Sequence, residues 1–257
     1  MGYRGEMAGG IEAAASTGGQ IMPPIMGASA FVIAAILGVP YLEVMKAAII
    51  PALLYFFSVG MVVHFLCLRL GLKGLPKSEL PRFGAVLKEG WFLFLPVAAI
   101  VFFLVRGYTA LMAGFWAIMV VLVVTAFRRE SRITPRKFLH ALDRAGRGVV
   151  SVGVTGACAG IVVSFIVISG LGLRLNDLIQ ILSGGNLLAA LFFTMIASLV
   201  LGMGMPTVGA YIIVAPLGAP ALEEMGVSPM ATHMFVFFFA IVCNVTPPVA
   251  LAAYAAA

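Results

Sequence analysis

From Trp91 to Phe127 the chain carries a single charged residue, Arg106. A soluble domain has no use for such a stretch, whereas apolar segments of about 20 residues match the hydrocarbon core of a bilayer. It reads as two spans, Trp91 to Val105 and Tyr108 to Phe127, turned at Arg106-Gly107. Trp91 sits at the interface, where indole is stable. The rest of the chain agrees: 62% of its residues are apolar, 10% are charged, and the mean hydropathy is +1.13. These values lie outside the range of soluble domains, so the expected fold class is an all-α, multi-span membrane bundle.

The net charge of +6 does not point to nucleic acid, because the basic residues cluster in two loops. One holds Lys73, Lys77, Arg82 and Lys88; the other holds Arg128, Arg129, Arg132, Arg136, Lys137, Arg144 and Arg147. Both flank the same two-span hairpin, and the positive-inside rule places them in the cytoplasm. Thr134-Pro135 has the form of a helix start, and Phe138, Leu139 and Leu142 follow on one face. That predicts a short interfacial helix on anionic lipid. Further spans are expected at Val44 to Leu72, Val149 to Leu173 and Leu187 to Leu201, with polar connections at Arg174 to Gly185 and Ala219 to Val227. Cys67, Cys158 and Cys243 have no metal or redox spacing and read as small buried hydrophobes. His64 reads as a hydrogen-bonded structural histidine near Arg69, with a proton relay as the alternative. His233 is expected near the surface.

Three polar interruptions break the apolar runs. The first is Ser16-Thr17-Gly18-Gly19-Gln20-Ile21-Met22-Pro23-Pro24, and the second is Cys243-Asn244-Val245-Thr246-Pro247-Pro248. An offset of 224 positions lays Pro23-Pro24 on Pro247-Pro248 and Gln20 on Asn244. The third is Gly202-Met203-Gly204-Met205-Pro206-Thr207. Irregular backbone at membrane depth persists only where it lines a protein cavity or binds something. Matched, proline-interrupted apolar segments in two halves mark the binding site of a secondary transporter. The first two interruptions are therefore expected to be tips of re-entrant hairpins, within residues 1–38 and 228–257. The third is expected to be a broken helix whose carbonyls and Thr207 hydroxyl coordinate a cation. A plain turn is the alternative reading at each.

Through these three motifs the chain resembles the large membrane subunit of TRAP transporters, within the fused-permease branch associated with TAXI-type binding proteins. Val39-Pro40-Tyr41-Leu42-Glu43-Val44 also fits. The resemblance implies an elevator-type, ion-transporter-like bundle. Its transport domain comprises residues 1–38 and 148–257, and its scaffold residues 39–147. It implies sodium-coupled uptake of an organic acid anion across a bacterial or archaeal inner membrane. A periplasmic solute-binding protein of TAXI type delivers the substrate, beside a small membrane subunit or fused N-terminal segment. By match, substrate or cation binding falls to Ser16, Thr17, Gly18, Gly19, Gln20, Pro23, Gly202, Gly204, Pro206, Thr207, Asn244, Thr246 and Pro247, with sodium at Gly19, Thr207 and Thr246. Membrane lipids are the other expected contacts; no cofactor and no nucleic acid are expected. The 224-residue offset puts the first-half partner of the third interruption upstream of Met1, so the chain is expected to be the C-terminal part of such a permease. The alternatives are a divalent-anion/sodium symporter without a binding protein and a non-transporting membrane fragment. An intramembrane enzyme is not expected, since the chain has no GxSxG or HExxH motif and no close His or Asp pair at depth.

Overall fold

The computed structural model describes residues 3–72, 80, 82–127 and 133–256. Within them the chain forms α1 (Gly5–Gly18), α2 (Ser29–Leu37), α3 (Tyr41–Leu70), α4 (Phe83–Gly90), α5 (Phe94–Val105), α6 (Ala110–Phe127), α7 (Pro135–Ser169), α8 (Leu171–Ser183), α9 (Leu187–Gly202), α10 (Thr207–Glu224), α11 (Pro229–Val242) and α12 (Leu251–Ala256). No strand occurs among the described residues. Lys73 and Lys77 of the first basic loop, and Arg128, Arg129 and Arg132 of the second, lie outside them. By length and composition, α3 is the one described helix able to cross a membrane alone, and Pro51 lies within it. α5 and α6 pack as the expected hairpin.

Two local expectations change. Thr134 does cap a helix, accepting from the Lys137 amide, but that helix is not short. It runs unbroken for 35 residues to Ser169, because no proline interrupts it and isolated glycines weaken a helix without ending one. It stops at Gly170, whose φ of 67° only glycine adopts freely, and α8 leaves at 70°. Residues 171–183 are thus helical rather than a polar connection. Leu175 and Ile179 face the core while Arg174 and Asp177 stay exposed, a one-sided pattern typical of a surface helix. Likewise α10 runs through Pro216 and Pro220 to Glu224, so the turn expected from Ala219 is confined to the residues before α11.

The hairpin assignments change more deeply. Tyr3 meets Cys67, with 2.5 Å from Oη to Sγ. Ala14 accepts from the Tyr55 hydroxyl at 2.9 Å. Phe31 stacks on Tyr41 at 4.2 Å. Residues 3–37 therefore pass along α3 from its end to its start, and α1 and α2 do not lie side by side. The first Pro-Pro segment is the break in a discontinuous helix, not the tip of a hairpin. The second copy follows suit: α11 begins and ends at the positions that the 224-residue offset gives from α1. α12 packs on α1 rather than on α11, with Gly9 against Ala256. Both Pro-Pro bonds are cis.

The third interruption, expected to break a helix, is instead the tip of a hairpin, α9–α10. Gly202 meets Ala210 and Thr194 meets Gly218, the register of antiparallel neighbours. Ala190, Thr194, Ser198 and Gly202 form one buried face of α9 at four-residue spacing, and small residues there let the backbones approach. α10 is the centre of the core: Tyr211, Val214, Leu217 and Leu222 are buried between α7, α8, α9 and α11. At its end Glu224 accepts from Asn176 Nδ2 at 3.1 Å and from Gln180 Nε2. Asn176 is buried, and its Oδ1 has no partner. Glu224→Ala leaves both polar atoms of that amide unsatisfied and is expected to cost about 1–3 kcal/mol. Asn176→Leu, which removes the amide altogether, should cost less, and thermal melts in detergent compare the two. Equal losses would show that the amide is not the issue.

Candidate functional site

The break in the second discontinuous helix meets the tip of the α9–α10 hairpin. A short 3-10 turn, Cys243–Val245, ends α11. Thr246 follows, with its hydroxyl donating to the Val242 carbonyl at 2.8 Å, and Ala250 closes the break at a φ of 43°, a rare conformation for a residue with a side chain. Opposite, α9 stops at Gly202 and α10 starts at Thr207. Gly204 between them has a φ of 76°, and the space beside it is filled by Val249.

Three contacts join the two irregular segments. Asn244 Nδ2 donates to Thr207 Oγ1 at 3.1 Å. The Cys243 thiol donates to the Gly202 carbonyl at 3.2 Å. Gly204 faces Val249. Asn244 also donates to the carbonyls of Ala240 and Ile241, so its amide is fixed by α11 while it holds the hairpin. Gly202 and Thr207 are buried, Asn244 and Thr246 half-buried, and Gly204, Pro206 and Pro247 exposed.

The first break sits beside the second, since α1 contacts the Cys243–Val245 turn. Thr17 and Gly18 are buried, with Gly18 under the rings of Tyr55 and Phe56. Ser16 is exposed and donates to Glu12 at 3.1 Å. Gly19 is exposed, while Gln20 and Pro23 are half-buried. The Gly27 amide closes the loop on the Gln20 carbonyl at 2.7 Å. Among the described residues, no hydrogen bond links Ser16, Thr17, Gly18, Gly19, Gln20 or Pro23 to the Gly202, Thr207 and Asn244 group. The structure thus gathers Gly202, Gly204, Thr207 and Asn244 into one cluster and sets the first break against its edge.

This arrangement offers oxygen ligands without a formal charge. None of the three interruptions contains Asp, Glu, Lys or Arg. No group of three His, Cys, Asp or Glu that could hold a metal occurs among the described residues. Hydroxyls, an amide and backbone carbonyls freed by the breaks remain, and these suit a hard monovalent cation. The N-termini of α10 and α2 have no side-chain cap, and uncapped N-terminal amides favour an anion. A groove of about 580 Å³ between α1 and α3, lined by Ile11, Leu54, Val62 and Phe238 among others, is apolar and does not serve a polar solute.

Several residues escape sequence reasoning. Of the three cysteines only Cys243 is buried; Cys158 is exposed and Cys67 half-buried. Cys243 is also no mere filler, because its thiol bridges to the hairpin. His64 is exposed, edge-on to Phe65 at 5.7 Å. His233 is not near the surface: it is 7% exposed and bonded through Nδ1 to the Tyr211 hydroxyl at 2.6 Å. Its partner lies 22 positions away, and no local pattern announces it.

Compared with known families, the whole chain, residues 1–257, matches the family described as the Tripartite ATP-independent periplasmic transporter, DctM component. No curated protein matches the chain.

Proposed function

The chain belongs to the DctM family of tripartite ATP-independent periplasmic transporter components, and from that premise we propose that it carries out sodium-coupled uptake of an organic acid anion. The family consists of transporter components rather than enzymes, and its members normally work with a periplasmic binding protein and a small membrane subunit. In this reading the binding protein is of TAXI type and the membrane is the inner membrane of a bacterium or archaeon. The transport domain, residues 1–38 and 148–257, moves as an elevator against a scaffold drawn from residues 39–147.

One observation carries the reading: the cluster of Gly202, Thr207 and Asn244, where a hairpin tip meets a helix break without a carboxylate. Sodium binds hard oxygen, and carbonyls and hydroxyls supply it without burying a negative charge that would repel an organic acid. The uncapped start of α10 supplies partial positive charge for the substrate carboxylate. Thr207 and Thr246 provide the hydroxyls, and the Gly19 backbone adds a ligand from the first break.

The test is substrate-dependent sodium uptake in proteoliposomes holding the complete permease and its binding protein. Thr207→Val and Thr246→Val keep the shape and remove one oxygen each. Either is expected to weaken apparent sodium affinity by about 10-fold, the equivalent of about 1.4 kcal/mol, at unchanged expression. Sodium dependence unaltered in both variants would refute the assignment, and uptake indifferent to sodium would refute the coupling.

A further inference from the structure

We propose that His233 is a proton-binding site built into the moving part of the protein, so that a proton is bound in addition to sodium. The inference rests on the transport reading above but uses different residues. His233 lies on α11 between two groups of α10. Its Nδ1 is 2.6 Å from the hydroxyl of Tyr211, which is fully buried. Its Nε2 is 3.7 Å from Glu223 Oε1, and that carboxylate is 36% exposed. An ionisable side chain in an apolar span is costly and marks a proton or ion path more often than it serves packing. The helices on either side are apolar: Met234, Val236 and Phe237 of α11 and Val214 and Leu222 of α10 are buried.

The geometry suits reversible protonation. A phenol both donates and accepts, so the Tyr211 bond persists in either charge state of the ring. The proton is gained and lost at Nε2, which faces the half-exposed Glu223 and through it the water outside. At 3.7 Å that pair is too long for a hydrogen bond, and imidazolium draws it shorter. Between Tyr211 and Glu223, α10 contains Pro216 and Pro220, each of which removes a backbone hydrogen bond. The stretch that must yield is therefore a soft one. Tyr211 stands one helical turn beyond Thr207, which holds the Asn244 amide. Charge on His233 thereby acts on the helix that carries the hairpin tip.

Among the described residues, no other charge pairs with His233 or Glu223. The second carboxylate of α10, Glu224, is turned to Asn176 and Gln180. α9 and α2 carry no charged residue, and neither does the part of α7 that meets α10. Glu12 on α1, Glu43 and Lys46 on α3, and Arg174 and Asp177 on α8 are exposed. None of them pairs with Glu223 among the described residues.

The experiment uses the complete protein in nanodiscs, labelled with ¹⁵N-histidine. The chain has three histidines, so His233→Gln identifies the resonance. The expected result is a ring whose charge state changes reversibly with pH, with a midpoint that falls in Glu223→Gln, where the carboxylate that favours imidazolium is lost. Tyr211→Phe, which keeps the ring packing, should also move the midpoint. Sodium chloride alone is the second probe: its apparent affinity, read from thermal melts, is expected to differ about 5-fold between pH values on either side of the ring's midpoint in the wild type and not in His233→Gln. A ring locked in one state, or a midpoint indifferent to Glu223→Gln, overturns the proposal even if sodium stabilises the protein. A titrating ring with the expected response to Glu223→Gln upholds the proton site even if sodium has no effect at any pH, an outcome that sinks the sodium reading instead. Should His233→Gln fail to fold, Glu223→Gln and Tyr211→Phe decide it.

Discussion

Gly202→Ala is expected to cost about 2 kcal/mol of folding stability, and adding Cys243→Ala should return most of it. A methyl group at Gly202 would sit 2.8 Å from Cys243 Sγ and 3.4 Å from the Ala210 side chain. The sulfur has nowhere to go, since it sits within 3.2 Å of the Gly202 carbonyl and 3.0 Å of the Ala240 carbonyl. The α9–α10 hairpin would have to part from the α11 break, and overpacking of this kind costs about 1–3 kcal/mol. Cys243→Ala alone loses a weak hydrogen-bond donor and leaves a small void. In the double variant the nearest remaining contacts are about 3.4 Å, an ordinary separation, so the two effects should not add. Thermal melts in detergent read the difference, roughly 4–8 °C for 2 kcal/mol in a chain of this size. A double variant no more stable than Gly202→Ala would show that the sulfur is not the obstacle.

Asn244 should matter to both fold and function. Asn244→Leu removes the amide that holds Thr207 and leaves a buried hydroxyl without its donor, which costs about 1–3 kcal/mol. Uptake by the complete permease is expected to fall by at least about 10-fold. Asn244→Asp has the same outline and can accept a hydrogen bond from the Thr207 hydroxyl, but a carboxylate cannot donate to the Ala240 and Ile241 carbonyls that the amide serves, so it too should lose about 1–3 kcal/mol. It also places a negative charge at the junction, where the proposed function puts an organic acid anion, and uptake should again collapse. Asn244→Asp transporting like the wild type would place the substrate elsewhere in the molecule.

The positions of most helices were legible, because long apolar runs and helix-start signals such as Thr134-Pro135 are local properties. So was the repeat: the offset read from Pro23-Pro24 and Pro247-Pro248 lays α1 onto α11 end to end. What the sequence did not convey was direction. A half-length apolar arm, a polar break and a second short arm describe a hairpin and a discontinuous helix equally well. Only the partners tell them apart, Tyr3, Ala14 and Phe31 meeting Cys67, Tyr55 and Tyr41 in reverse order along α3. The same reason hid His233, whose burial depends on Tyr211 in another helix. The extent of α7 was missed for a different cause: its basic start and glycine-rich continuation read as two elements, but neither composition contains anything that stops a helix.

That unbroken helix has a mechanical consequence. At about 1.5 Å per residue its 35 residues extend over roughly 50 Å, well beyond the about 30 Å of a hydrocarbon core. Ala159 and Ile166 pack with Ile213 and Leu217 of α10, while the half bearing Arg136, Arg144 and Arg147 is exposed. α7 is therefore a stiff rod clamped near one end to the helix that carries the hairpin tip. A tilt on the order of 10° at the clamp swings the free end by on the order of 6 Å, taking about 1.5 Å of rod per residue. A spectroscopic label near His140 then works as the pointer of a gauge, registering outside the bilayer what the hairpin does within it.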